Sequence, residues 1–297
     1  MKPMSKLKVF ARWVGRIALG ILLLLIAGGL FVYIRTNHRI NKKYTFSEPD
    51  LIIPTDSGSI ARGRHLYQIR SCADCHGAKL QGGVFINDAL LLRLTAPNLT
   101  KGKRGIGNDL LSEDWVRILR HGVDKNGQSL WIMPSHESTV LSKEDLASLI
   151  AYCQNAAPVD SEIEKLKEIG PIGRVLMMLD RVAILPAERI NHATPMAVGT
   201  PTDEIARGKY LAATCQGCHM PDMKGGGPLA PGHPSVPDIS STGAPGKWDA
   251  AQFIATLRHG RTPEGKLLRN EFMPWQNMKH LTDDELKAIL SYLTSVK

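Results

Sequence analysis

Two pentapeptides carry most of the thiol chemistry of this chain: "CADCH", Cys72 to His76, and "CQGCH", Cys215 to His219. They take up four of its five cysteines. Two thiols three residues apart lie on one turn of chain, so each can add to a vinyl group of a porphyrin while the next histidine is carried beneath the iron. Cys72, Cys75, Cys215 and Cys218 are therefore candidate attachment points for two covalently bound haem c groups, with His76 and His219 as candidate iron ligands. A zinc site would need four ligands and has no use for a histidine directly after each cysteine pair. A thioredoxin-like Cys-x-x-Cys would sit in a βαβ setting that the sequence lacks.

The surroundings of the pentapeptides repeat too. "IARGRHLYQIRSCADCHG" (60–77) matches "IARGKYLAATCQGCHM" (205–220) with a two-residue gap, "APNLT" (96–100) matches "VPDIS" (236–240), and "ILRHG" (118–122) matches "TLRHG" (256–260). "WIMPS" and "EFMPW" follow, placing Met133 and Met273 57 and 54 residues beyond their histidines. The soft thioether of methionine suits the sixth position of a haem iron and raises its potential, so Met133 and Met273 are the matched candidates for the second axial ligand. His121 and His259 are matched rivals. They read instead as helix ends, with a basic residue at the negative pole and Gly122 or Gly260 as the cap.

Each half closes on a helical pattern. Ser142 with Asp145 and Thr282 with Glu285 fit S/T-x-x-D/E helix starts, and apolar residues then recur at helical spacing. Cys153 falls where the second repeat has Leu293, so it reads as a small buried hydrophobe.

The charge lies elsewhere than the haem motifs. The net charge of +9 is concentrated in residues 1–43, which hold nine Lys and Arg, Lys2 among them, and no acid. Of the 37 basic residues, 28 remain for the rest of the chain against 28 acidic ones. A neutral body argues against nucleic acid as a partner. The basic residues flank the uncharged run Ile17 to Ile34, eighteen residues, which as a helix at about 1.5 Å each reaches across most of a ~30 Å hydrocarbon core. The run stays bulky to its end, so it reads as an uncleaved anchor in 1–43 with its span at about 17–34. Five basic residues before the span and four soon after leave its orientation undecided by charge. Haem c attachment decides it: in bacteria that ligation takes place outside the cytoplasmic membrane.

With pentapeptides, Met-Pro elements and closing helices together, the chain resembles the class I cytochrome c family in tandem. The longer pattern "PNLT…GIG…EDWVRILRHGVDKNGQSLWIMPS" is similar to the cytochrome c subunits of membrane-bound bacterial alcohol and sugar dehydrogenases. The resemblance implies an all-α fold: two haem-wrapping domains, 44–157 and 200–297, behind one N-terminal transmembrane helix and joined by a linker, 158–199. It implies axial pairs His76/Met133 and His219/Met273. It also implies a proline carbonyl that orients the histidine ring, for which Pro228 is the candidate in the second repeat, whereas "GGVF" in the first offers none. The linker is expected to pack across the two domains, with Met177 and Met178 as an alternative docking surface for a partner.

The expected function is electron transfer by a single-pass protein of the bacterial inner membrane with its haem domains in the periplasm. It would accept electrons from a periplasmic or membrane dehydrogenase or a quinol-linked donor, and pass them to a terminal oxidase or soluble cytochrome. The alternative is a dihaem peroxidase-like enzyme in which one iron opens to peroxide.

Overall fold

The uncharged run and the basic residues nearest it form one helix, α1, Lys6–Ile40. The computed structural model describes residues 6–46, 51–229 and 232–297, without the side chains of Lys6 and Leu7, so Lys2 lies outside the described residues. Residues 17–34 are exposed, Val32 partly so. Among the described residues α1 is the one helix long and apolar enough to cross a membrane, with a mean hydropathy of 2.7 in its most apolar window.

The first repeat runs α2 (Ser57–Ile69), α3 (Cys72–His76), β1 (Gly83–Asp88), β2 (Leu92–Ala96), α4 (Ser112–Val116) with a wider π turn to His121, α5 (Ser135–Ser138) and α6 (Lys143–Gln154). Between the repeats lie β3 (Lys167–Ile169) and α7 (Pro171–Met178). The second repeat runs α8 (Glu204–Leu211), a 3-10 turn Ala212–Cys215, α9 (Gln216–His219), β4 (Gly226–Pro228), β5 (Ser235–Val236), α10 (Ala250–His259) and α11 (Asp283–Ser295).

Two small sheets correct the all-α expectation. In "GVFINDALLLRLTA" the β-branched and apolar residues favour extended chain, and β1 pairs antiparallel with β2 from Gly83↔Ala96 to Asp88↔Leu92. β3 then covers the free edge of β2. The matching interval of the second repeat is glycine-rich, and among its described residues forms the short β4–β5 ladder.

In both repeats the first and last helices cross at a glycine. A Cβ on Gly63 would lie 1.9 Å from the Ser148 carbonyl oxygen, and one on Gly208 the same 1.9 Å from that of Ala288. Tyr152 and Tyr292 stand beside these crossings, each with its Cβ 2.8 Å from the same points. The starts of the last helices are as the sequence predicts: the Ser142 hydroxyl accepts from Asp145 N–H, and Thr282 and Glu285 form a reciprocal capping box. Gly122 and Gly260 both take the left-handed conformation that ends their helices. Cys153 is buried in the core, on α6.

The two repeats face each other through matched positions. His65 of α2 hydrogen-bonds Glu285 of α11 at 2.8 Å. Its repeat equivalent Tyr210, on α8, donates a short hydrogen bond to Asp145 of α6, the equivalent of Glu285. Four residues after Met273, Asn277 Nδ2 donates to Asp74 Oδ2 at 2.7 Å and to Ser71 Oγ at 3.2 Å. Four residues after Met133, Glu137 reaches the other pentapeptide, its Oε1 2.8 Å from where a Cβ on Gly217 would stand. Such reciprocity is the signature of an isologous, two-fold interface, here within one chain. One apolar core cluster runs through both repeats.

The linker's hydrogen bonds are made to one side, while Met196 packs against the apolar core that runs through both repeats. Among the described residues its hydrogen bonds beyond itself go to residues between Thr36 and Lys143, so it wraps the first repeat and the end of α1. Met177 is fully buried there with Ile184 and Leu185, which removes it from any docking surface.

Placing a side chain at either crossing drives it into backbone. Gly63→Val and Gly208→Val should each destabilise the protein by at least ~1–3 kcal/mol, read as a lowered denaturant midpoint. The His65–Glu285 pair adds a pH dependence, because the hydrogen bond to Glu285 raises the His65 pKa above its usual value against the effect of burial. Its contribution is complete below the unfolded histidine pKa of about 6.5 and fades as pH rises through the higher folded value. His65→Tyr, which copies the Tyr210 arrangement, should flatten stability across that window, a change below about 1 kcal/mol once solvent screening is allowed for.

Candidate haem-attachment sites

The short helix α3 and the turn leading into α9 place each cysteine pair and its histidine on one bend of chain. No disulfide joins any of the cysteines. Burial raises all four pentapeptide thiols, Cys72 up to about 12 and Cys215 up to about 11, so they are uncharged near neutral pH. A neutral, unpaired thiol pair beside a histidine fits thioether attachment of a porphyrin. Among the described residues no three His, Cys, Asp or Glu side chains converge to hold a bare ion.

Both histidine rings are held by proline carbonyls. His76 Nδ1 lies 3.1 Å from Pro97 O and His219 Nδ1 lies 2.9 Å from Pro237 O. Burial lowers the pKa of both rings, so each is a neutral imidazole near pH 7. A neutral ring that gives its Nδ1–H to a carbonyl has a lone pair on Nε2, which leaves that nitrogen free to ligate a metal. These prolines correct the reading of Pro228, which is exposed in β4. They stand in the matched stretches "APNLT" and "VPDIS", so the signal for them was present in the repeat. The turns that follow are also shared: Gly82 N–H donates to His76 O at 2.9 Å, and Gly225 N–H to His219 O at 3.0 Å.

The Met-Pro elements adopt one conformation in both repeats. Pro134 has φ −80° and ψ 53°, and Pro274 has φ −74° and ψ 59°. Ser135 N–H donates to Met133 O at 2.8 Å, and Trp275 N–H to Met273 O at 2.7 Å. This is an inverse γ-turn, a bend that the fixed φ of proline favours. Outside it, the Ser135 hydroxyl donates to Ile118 O at 2.8 Å and the Trp275 indole to Leu268 O at 2.9 Å, so both turns are tied to their own repeat. Met133 and Met273 are partly buried against the same core that Cys72 and Cys215 border. The rival His121 is instead stacked on Phe46, ring centroids 4.1 Å apart, and hydrogen-bonded to His192 at 2.8 Å, while His259 is exposed.

The approaches to the two pentapeptides touch. Arg70, two residues before Cys72, donates to Tyr210 O at 3.0 Å and reaches Thr214 Oγ1, next to Cys215, at 3.5 Å. Glu137 lies between the sites, close enough for its charge to bear on Cys72, Cys215 and Cys218. Burial pushes its carboxyl up to about 7, although Arg70 and Arg189 favour the ionised form. Sequence reasoning passed over Glu137, since a single acid in "MPSHES" carries no spacing signal.

Comparison with known proteins agrees with this layout. Residues 58–153 match the family model described as cytochrome c oxidase, cbb3-type, subunit III, and residues 205–297 match that described as cytochrome c. A gluconate 2-dehydrogenase cytochrome c subunit from Pantoea cypripedii is 27% identical over 268 residues, an alignment covering 80% of this chain and 59% of that relative. The chain therefore carries two cytochrome c domains, a type of domain that binds haem c covalently, and resembles the cytochrome c subunits of bacterial dehydrogenases.

Proposed function

We propose that this protein is a membrane-anchored dihaem cytochrome c that takes electrons from a dehydrogenase or quinol-linked donor and hands them to a terminal oxidase or soluble carrier. Cys72 and Cys75 hold one haem, Cys215 and Cys218 the other. His76 with Met133, and His219 with Met273, cap the two irons in tandem class I domains spanning 44–157 and 200–297. α1 crosses the bacterial inner membrane once and leaves the domains in the periplasm. Bound haem supplies one-electron chemistry. The likeness to a dehydrogenase cytochrome c subunit favours a dehydrogenase as the donor.

The observation that carries this reading is the reciprocal interface. It brings the approaches to both pentapeptides into contact through Arg70, Tyr210 and Thr214, and sets each Met loop against the opposite pentapeptide. Two carriers held side by side across a shared core suit passage of an electron through the protein. The residues around each site do the positioning: Pro97 and Pro237 fix the rings, and the γ-turns fix the methionines.

Replacing Met133 or Met273 by Ala should lower the potential of one haem only and open it to carbon monoxide, seen in redox-resolved absorbance spectra. Spectra unchanged in both variants would remove the axial assignment. Glu137 should make the haem of the second pentapeptide pH-sensitive. As pH rises through about 7 the carboxyl ionises, its negative charge favours the ferric state, and the midpoint potential falls, by at most about 59 mV per pH unit for one electron and one proton. Glu137→Gln should flatten that slope between pH 6 and 8 in a potentiometric titration.

A further inference from the structure

The short helix α7 has two faces of different character. Gly173 and Met177 are buried; a Cβ on Gly173 would lie 2.0 Å from Leu91 O, so the helix backbone rests directly on the β1–β2 connection. On the other side Ile172, Val175 and Leu179 recur at helical spacing and are exposed by 46%, 41% and 56%. Leu90, at the tip of the β1–β2 hairpin, is exposed by 57%. Its carbonyl accepts from Ile172 N–H at 3.0 Å and Gly173 N–H at 3.2 Å, so tip and helix start form one unit. A surface helix facing water would carry polar residues on such a face.

The position of this apolar surface relative to α1 identifies what covers it. Arg174 donates to Thr36 Oγ1 at 2.7 Å and Asn37 Oδ1 at 2.9 Å, and its guanidinium lies 4.6 Å from the centre of the Tyr33 ring. Tyr33 and Ile34 end the uncharged run, and Thr36 stands only about 3 Å further along the helix axis at ~1.5 Å per residue. One turn later Arg39 Nη1 donates to Met177 O at 2.8 Å, so α7 climbs away from the span as it proceeds. These contacts turn the start of α7, with Ile172 and the Leu90 carbonyl that caps it, toward the apolar run, and Leu179 away from it. Apolar faces of interfacial helices sit in this band, about 5–10 Å deep at the boundary of headgroups and acyl chains, while Arg and Tyr occupy the polar edge.

We infer that the β1–β2 tip and the start of α7 dip into the same bilayer that α1 crosses, forming a second membrane contact centred on Leu90 and Ile172. This rests on α1 being a transmembrane anchor. Burial of these side chains in lipid adds to the hold of the span and sets the tilt of the first domain over the surface.

The test uses the full-length haem-loaded protein in phospholipid nanodiscs, with a photoreactive diazirine amino acid placed singly at Leu24, Leu90 or Leu267. All three side chains are exposed, and Leu267 lies in the second repeat. After illumination, mass spectrometry should show a shift of one phospholipid at Leu24 and Leu90 and none at Leu267. Lipid adducts at Leu24 without any at Leu90 overturn the proposal and leave the anchor standing. Absence at both removes the anchor and the proposal together. Crosslinks from Leu90 to a second polypeptide in place of lipid overturn it in favour of a protein contact. A haem absorbance spectrum unchanged from the parent protein establishes that each labelled chain is folded.

Discussion

The glycine crossing is the constraint on which the rest of each repeat depends. Gly63 lets α2 lie directly against the backbone of α6, and Gly208 does the same for α8 and α11. Once these pairs are locked, the pentapeptide that follows the first helix and the loop that precedes the last one have fixed starting points. Everything functional in the repeat hangs between them. The same helix pair carries the residues that meet the other repeat, so fold and interface share one frame: His65 and Tyr210 on the first helices, Glu285 and Asp145 on the last.

Much of the candidate site was legible because its chemistry is local. Two cysteines and a histidine on one turn declare themselves in five residues, and the caps at Ser142 and Thr282 are readable from their side chains alone. The contacts that orient the histidines were not legible in the same way. Pro97 and Pro237 stand 21 and 18 residues from their rings; the repeat marks both stretches as matched, but only the folded chain shows that their carbonyls meet the rings. The sheets escaped because a haem-wrapping pattern led to an all-α expectation, while "GVFINDALLLRLTA" pairs with itself by β propensity. The pairs across the repeats join residues far apart in sequence, and only folded coordinates bring them together.

The two halves are copies with deliberate differences at matched positions. Where the first has a titratable histidine, His65, the second has Tyr210, whose ionisation burial and Asp145 push up to about 12. Where the first presents Glu137 to its neighbour's pentapeptide, the second presents the neutral amide of Asn277. Duplication supplied symmetry, and these substitutions give the two sites different electrostatic surroundings without altering the frame.

α1 continues without a break to Ile40 and is then fastened to its own cargo. Arg39 pairs with Glu188 at 2.6 Å and with Asp180 at 2.9 Å, Lys43 Nζ donates to Asn126 O, and Tyr44 N–H donates to Gly127 O at 2.8 Å. Such a neck ties stalk to head through several side-chain and backbone contacts. With α1 as an anchor, a carrier mounted this way would present a constant face to anything sharing its sheet of lipid, so encounters would become a planar search in which much of the rotational matching is settled in advance.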